Sequence, residues 1–188
     1  MPRNPSAALA RRLAASPRLR LLGLAPRAVV LTTAYRSLVH ELAPALAEAP
    51  MAVLMLGVAG RTRAVRVERR GTGRRSTLFP DVAGKTASGP GRAGAAAVRQ
   101  TRVAPGKVLR ILQDGGVPSR ISRDAGRYLC NAAYFQALAE PKPVLFVHVP
   151  KPPQRGRAAS DRKLAAALTN VAIALGVQAR VAGLRPLG

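Results

Sequence analysis

Two short, unbroken apolar runs constrain this chain most. Ala52-Val-Leu-Met-Leu-Gly57 follows Pro50, and residues 143–149 carry Val144, Leu145, Phe146 and Val147 ahead of Pro150. Both are too short for a core helix. Neither shows the apolar–polar alternation of a strand with one wet face. Each reads as a strand buried on both faces, which needs helices packed above and below it. Gly57 and Gly60 mark a tight turn after the first run.

The other segments supply those helices. Asn4 as cap and Pro5 at the first helical position start a helix over 4–15. A second amphipathic helix over 36–48 carries Leu38, Leu42 and Leu46 and stops at Pro50. Helices are also expected over 107–114, ended by Gly115-Gly116, over 124–139, and over Asp161–Gly176 with Leu164, Leu168, Val171 and Leu175 on one stripe. The β-branched run at 28–34 reads as a further buried strand. Residues 63–69 alternate, with Val65, Val67 and Arg69 on one face and Arg66 and Glu68 on the other, as in an exposed edge strand. Residues 71–106, rich in Gly, Pro, Arg and Ala, read as a loop or flap. The order of elements is that of an α/β fold in a single domain over residues 1–188.

Composition excludes several classes. The chain is 48% apolar, so it can bury a core. No apolar run approaches the roughly 20 residues of a membrane span, and no secretory leader follows the basic start. One cysteine makes neither an intramolecular disulfide nor a Cys-rich zinc site. These features point to a reducing cytoplasm. Lys plus Arg number 31 against 8 acids, a formal charge of +23, which by itself suggests a polyanion partner. Only 5 of the 31 are lysine, the cations are scattered, and six aromatics make a poor stacking platform. Nucleic-acid binding is therefore a minor reading.

Three residues carry candidate chemistry: Glu68, Cys130 and His148. Cys130 lies in Ile121-Ser-Arg-Asp-Ala-Gly-Arg-Tyr-Leu-Cys-Asn131. A cap at Ser122 or Asp124 puts it in the second turn of a helix. A start delayed by Gly126 puts it in the first turn, where the helix dipole lowers a thiol's pKa. Read alone, a lone cysteine on a helix is first of all a small buried core residue. His148 closes an apolar strand, where α/β proteins place reactive groups, or where a histidine simply bonds a backbone carbonyl. Glu68 alone reads as an ion pair with a neighbouring arginine. Together the three residue types make a nucleophilic set: thiolate attacks a carbonyl, imidazole moves the proton, and carboxylate orients the ring.

Ser122-Arg-Asp-Ala-Gly-Arg-Tyr-Leu-Cys-Asn131 resembles the nucleophile segment of the pyroglutamyl peptidases, and Phe146-Val-His-Val-Pro150 their histidine segment. Gly57-Val-Ala-Gly-Arg61 followed by Val67-Glu-Arg69 resembles their glycine turn and acidic segment. Asn4-Pro-Ser6 and Leu31-Thr-Thr-Ala-Tyr35 are similar to further landmarks, in the family's order. The resemblance implies a three-layer α/β/α sandwich around a mixed, mostly parallel sheet. It implies Cys130 as nucleophile, His148 as general base and acid, and Glu68 as the orienting residue. It also implies peptides with an N-terminal pyroglutamate as substrates, no metal or cofactor, no membrane, and room for a homo-oligomer.

The family opens with a strand and an aromatic glycine loop of the type Gly-Phe-Glu-Pro-Phe-Gly ahead of the Asn-Pro-Ser helix. Here only Met1-Pro-Arg3 precedes that helix. The sheet is therefore expected to show an open edge or gap beside 28–34 or 52–57. An alternative function follows from the same departure: a catalytically weak homologue acting as a binding or scaffold protein.

Overall fold

The computed structural model describes residues 4–60, 62–87, 97–153 and 156–183. Residues 1–3, Arg61 of the glycine-turn motif, and 88–96 of the expected flap lie outside the described residues. Helix α1, Pro5–Ala14, begins where the Asn4 side chain accepts the Ser6 N–H at 3.1 Å. A short α2, Pro17–Leu21, follows. A π-helical stretch, Leu38–Leu42, runs straight into α3, Ala43–Ala47. The strands are β1 (Val53–Ala59), β2 (Val65–Glu68), β3 (Arg70–Thr72), β4 (Val98–Gln100), β5 (Ser119–Ser122) and β6 (Val144–Pro150). Between and after them run α4 (Pro105–Asp114), α5 (Leu129–Ala137) and α6 (Arg157–Gly183).

The main sheet has the order β1-β6-β2-β5. β1 and β6 are parallel, β2 and β5 are parallel, and β2 runs antiparallel to β6, so the sheet is mixed and mostly parallel. β3 and β4 form a separate antiparallel pair. Because side chains alternate across a strand, the sheet sorts its residues by parity. Leu145, Val147 and Val149 of β6, with Val65 and Val67 of β2, pack against Leu9, Leu13, Val108, Leu112, Leu168 and Val171 of α1, α4 and α6. Val144 and Phe146 face the other way, onto Ala132, Ala133, Tyr134 and Ala137 of α5 and Leu42 and Leu46 before it. Helices thus cover both faces, in three layers.

Several expectations are corrected. Residues 28–32 take no regular secondary structure, 33–34 form a bend, and the segment pairs with no strand among the described residues; Val29 and Val30 are 41% and 42% exposed. The open edge falls beside β1, the 52–57 strand, one of the two places expected; β1 has no partner on its outer side among the described residues and is mostly half-buried, not buried on both faces as expected. β2 is not an edge strand; it lies between β6 and β5. Its polar face turns toward the α5 side of the sheet and not toward solvent. The edge is β5, whose Ser-Arg-Ile-Ser sequence carries no apolar run and was not expected as a strand. Residues 71–106 are not all loop: the end of β3, β4 and the start of α4 fall within them.

α6 starts earlier and ends later than its apolar stripe. Contrary to the sequence expectation, it is long and apolar enough to cross a membrane by length and composition, with an 18-residue window of mean hydropathy 1.5. Its Ala165, Leu168, Val171 and Leu175 are buried in the core, and 33% of that window is buried in all.

Candidate active site

Strand pleat brings the site together. Glu68 sits three positions after Val65 on β2, and His148 two after Phe146 on β6, so both point to the α5 face. β2 and β6 are register partners, with Arg66 opposite His148 and Glu68 opposite Phe146. The result is a hydrogen bond of 2.8 Å from His148 Nδ1 to Glu68 Oε1. A carboxylate oxygen accepts, so Nδ1 carries a proton, and in the neutral ring Nε2 then presents its lone pair. Glu68 is fully buried and His148 nearly so.

Arg66, on the same face as Glu68, closes a second contact to Oε1 at 3.1 Å and donates to Ser122 Oγ at 2.8 Å and to the Asp124 carbonyl. The arginine ion pair and the histidine contact, read from sequence as competing roles for Glu68, therefore coexist. Glu68 Oε2 is buried without a hydrogen-bond partner among the described residues. Tyr134 donates its hydroxyl to the Glu68 carbonyl at 2.8 Å, fixing the backbone at the end of β2.

Cys130 reaches this face from α5. The Asp124 side chain accepts the Gly126 N–H at 2.8 Å, and Gly126 adopts a φ of +89°, open to glycine at little steric cost. That turn delays the helix: Tyr128 is its cap and Cys130 lies in the first turn. The cap makes no side-chain hydrogen bond to the first-turn N–H groups. The expected lowering of the thiol's pKa does not follow. Cys130 is half-buried, and close-packed neighbours desolvate it; burial first, and the Glu68 charge second, push the thiol from 9.0 up to about 11. Desolvation outweighs the dipole here.

Gly57, the β1 partner of His148, makes room for the sulfur. A Cβ at Gly57 would stand 3.2 Å from Cys130 Sγ and 2.7 Å from Phe146 Cζ. The Phe146 ring lies 4.6 Å, centroid to centroid, from the imidazole. The sulfur thus sits over β1 and the imidazole on the adjoining strand, and no hydrogen bond joins them.

Sequence reasoning missed Asn131. Its side chain accepts the Thr72 N–H at 2.9 Å and donates to the carbonyls of Thr72 and Arg74 at 2.8 and 2.9 Å. It ties the helix carrying Cys130 to the segment after β2. The one signal in sequence was its place beside the cysteine. Arg66 was legible through its two-residue spacing from Glu68.

A family model described as pyroglutamyl peptidase matches residues 3–184. A pyrrolidone-carboxylate peptidase of Gloeobacter violaceus is 30% identical over 159 residues, covering 81% of this chain and 76% of that one. Another, from Thermococcus kodakarensis, is 34% identical over 103 residues, covering 53% of this chain and half of the relative's length. The crystal structure of pyrrolidone carboxyl peptidase from Thermus thermophilus superposes with a TM-score of 0.78 at 28% identity, covering 90% of this chain and 91% of that one. A Pyrococcus furiosus pyrrolidone carboxyl peptidase shares the fold at a TM-score of 0.82 and 22% identity, over 94% of this chain and 92% of the other.

Proposed function

Because the chain belongs to the pyroglutamyl peptidase family, a cysteine peptidase family, we propose that it removes an N-terminal pyroglutamyl residue from peptides, with Cys130, His148 and Glu68 carrying the reaction. The observation that carries this reading is the 2.8 Å contact of His148 Nδ1 with the fully buried Glu68, on the sheet face that α5 and Cys130 cover. His148 Nε2 takes the thiol proton. The thiolate attacks the pyroglutamyl carbonyl, and the tetrahedral intermediate collapses to a thioester as the imidazolium gives its proton to the leaving amine. Water then hydrolyses the thioester with the imidazole as base. Backbone N–H groups receive the oxyanion, either those of the first turn of α5, which take no side-chain cap, or those of the Gly57–Gly60 turn.

A thiol raised to about 11 is neutral at rest, so the proton must move as substrate arrives. Catalytic hydrogen bonds of this kind often tighten only in the substrate complex. The test is hydrolysis of a fluorogenic pyroglutamyl amide, abolished by iodoacetamide and by Cys130→Ala. Activity surviving in Cys130→Ala would end the covalent reading. The raised thiol is also the observation that favours the competing reading, a catalytically weak homologue that only binds. A well-folded chain with a silent thiol and no hydrolysis would support that reading.

A further inference from the structure

An open cleft of about 840 Å³ lies beside the site, bounded by Ala59, Gly60, Arg66, Arg120, Tyr128 and Lys151. It adjoins the chemistry at two points. Tyr128 caps the helix two residues before Cys130, and Arg66 contacts Glu68 at 3.1 Å. Its charge is one-sided, because three cations line it and no acid does. They come from separate segments. Arg66 is on β2, Arg120 is its register partner on β5, and Lys151 follows β6 and lies over Gly60 at the end of β1.

Register partners in neighbouring strands project from the same face, so Arg66 and Arg120 sit side by side, an arrangement that costs stability unless an anion offsets it. Glu68 compensates Arg66, whereas Arg120 and Lys151 make no ion pair among the described residues. A pyroglutamyl ring is an uncharged lactam and has no use for such cations. The charge therefore serves the other side of the scissile bond.

We propose that this cleft is the subsite for the leaving part of the substrate, and that Arg120 and Lys151, beside Arg66, select a carboxylate there. The inference rests on the hydrolytic reading above. The carboxylate is the side chain of the residue after the pyroglutamate, or the free C-terminus of a dipeptide. Guanidinium and ammonium groups in a partly enclosed cleft bind such a group by charge-assisted hydrogen bonds and draw it in by long-range attraction.

The experiment compares kcat/KM for pyroglutamyl-glutamate α-amide, pyroglutamyl-glutamine α-amide, pyroglutamyl-alanine with a free carboxylate, and pyroglutamyl-alanine amide. At least one acidic substrate should exceed its neutral counterpart by roughly tenfold or more, mainly through KM, and the advantage should shrink as salt rises. The glutamate arm and the free-acid arm report which carboxylate enters. The Arg120→Gln, Lys151→Gln double variant, altered at two exposed positions, should lose the preference and keep its rate on the neutral amides. Parity among the substrates, or a preference that survives in the double variant, overturns the proposal.

Titration calorimetry of the same dipeptides into Cys130→Ala protein separates the two readings. If nothing is cleaved, yet acidic dipeptides bind at least tenfold tighter through Arg120 and Lys151, the hydrolytic reading fails and the cleft stands. If binding is indifferent to the carboxylate, the cleft proposal falls regardless of activity.

Discussion

Raising the pH on the resting protein probes how Cys130 is activated. Burial and the Glu68 charge push this thiol from 9.0 up to about 11. At pH 7 a thiol of pKa 9 is about 1% thiolate and one of pKa 11 about 0.01%, so alkylation at rest should be about 100-fold slower than for an ordinary thiol. The chain has one cysteine, so the mass shift from iodoacetamide reports that thiol alone. Its rate constant should climb about tenfold per pH unit above neutrality and bend over near pH 11. Glu68→Gln removes the second cause of the shift, so the midpoint should move down. Hydrolysis of a pyroglutamyl amide should nevertheless fall, by roughly 10²–10⁴, because the imidazole loses the carboxylate that orients it. A faster-titrating thiol in a slower enzyme is an outcome that a merely structural Glu68 would not produce. An alkylation plateau between pH 5 and 8 would show a thiolate–imidazolium pair already formed at rest and refute the reasoning. An unchanged midpoint in Glu68→Gln would refute it as well.

His148→Ala should abolish hydrolysis almost as completely as Cys130→Ala, since members of such a set act as a unit, with Glu68→Gln milder than either in single-turnover assays. Gly57→Ala should lower activity and destabilise by about 1–3 kcal/mol in urea titrations, because its Cβ would stand 2.7 Å from Phe146 Cζ and 3.2 Å from Cys130 Sγ. Asn131→Ala strands the half-buried Thr72 N–H and carbonyl, while the carbonyl of exposed Arg74 turns to water; at about 1–3 kcal/mol for each group left buried and unpaired, urea titration should show a loss of about 1–3 kcal/mol. The fold favours the neutral Cys130 thiol. That contribution is fully present below pH 9 and is lost as pH rises through about 11, a difference of at most about 2–3 kcal/mol. Measured as the difference in unfolding free energy between the native chain and Cys130→Ser, it should shrink steadily from pH 8 to 11, and a difference that stays flat over that range would show that the thiol is not buried as described.

The α/β class, the strands at 52–57 and 143–149 and the helices over 4–15 and 36–48 were legible because each rests on local signals: apolar run length, capping residues, and a 3.6-residue stripe; burial on both faces held for β6 and not for β1, which lies at the sheet edge. Glu68, Cys130 and His148 were legible as residues, since a lone thiol, a strand-end histidine and a rare acid stand out in a basic chain. Their proximity was not, because it depends on which strands are neighbours. Alternation put Arg66 and Glu68 on one face, but an exposed edge and a buried active-site wall give the same alternating pattern. Only the placing of β2 between β6 and β5 turned that polar face inward. The β-branched run at 28–34 has strand propensity without a strand partner among the described residues, and the polar β5 has a partner without propensity. In both, pairing across the sheet overrode local preference. The thiol's pKa was likewise decided by tertiary structure. First-turn placement was within reach of sequence, through Gly126. The burial and the Glu68 charge that outweigh the helix dipole come from Gly57, Phe146 and β2, dozens of residues or more from Cys130 along the chain or sixteen in the case of Phe146, and close only in the folded sheet.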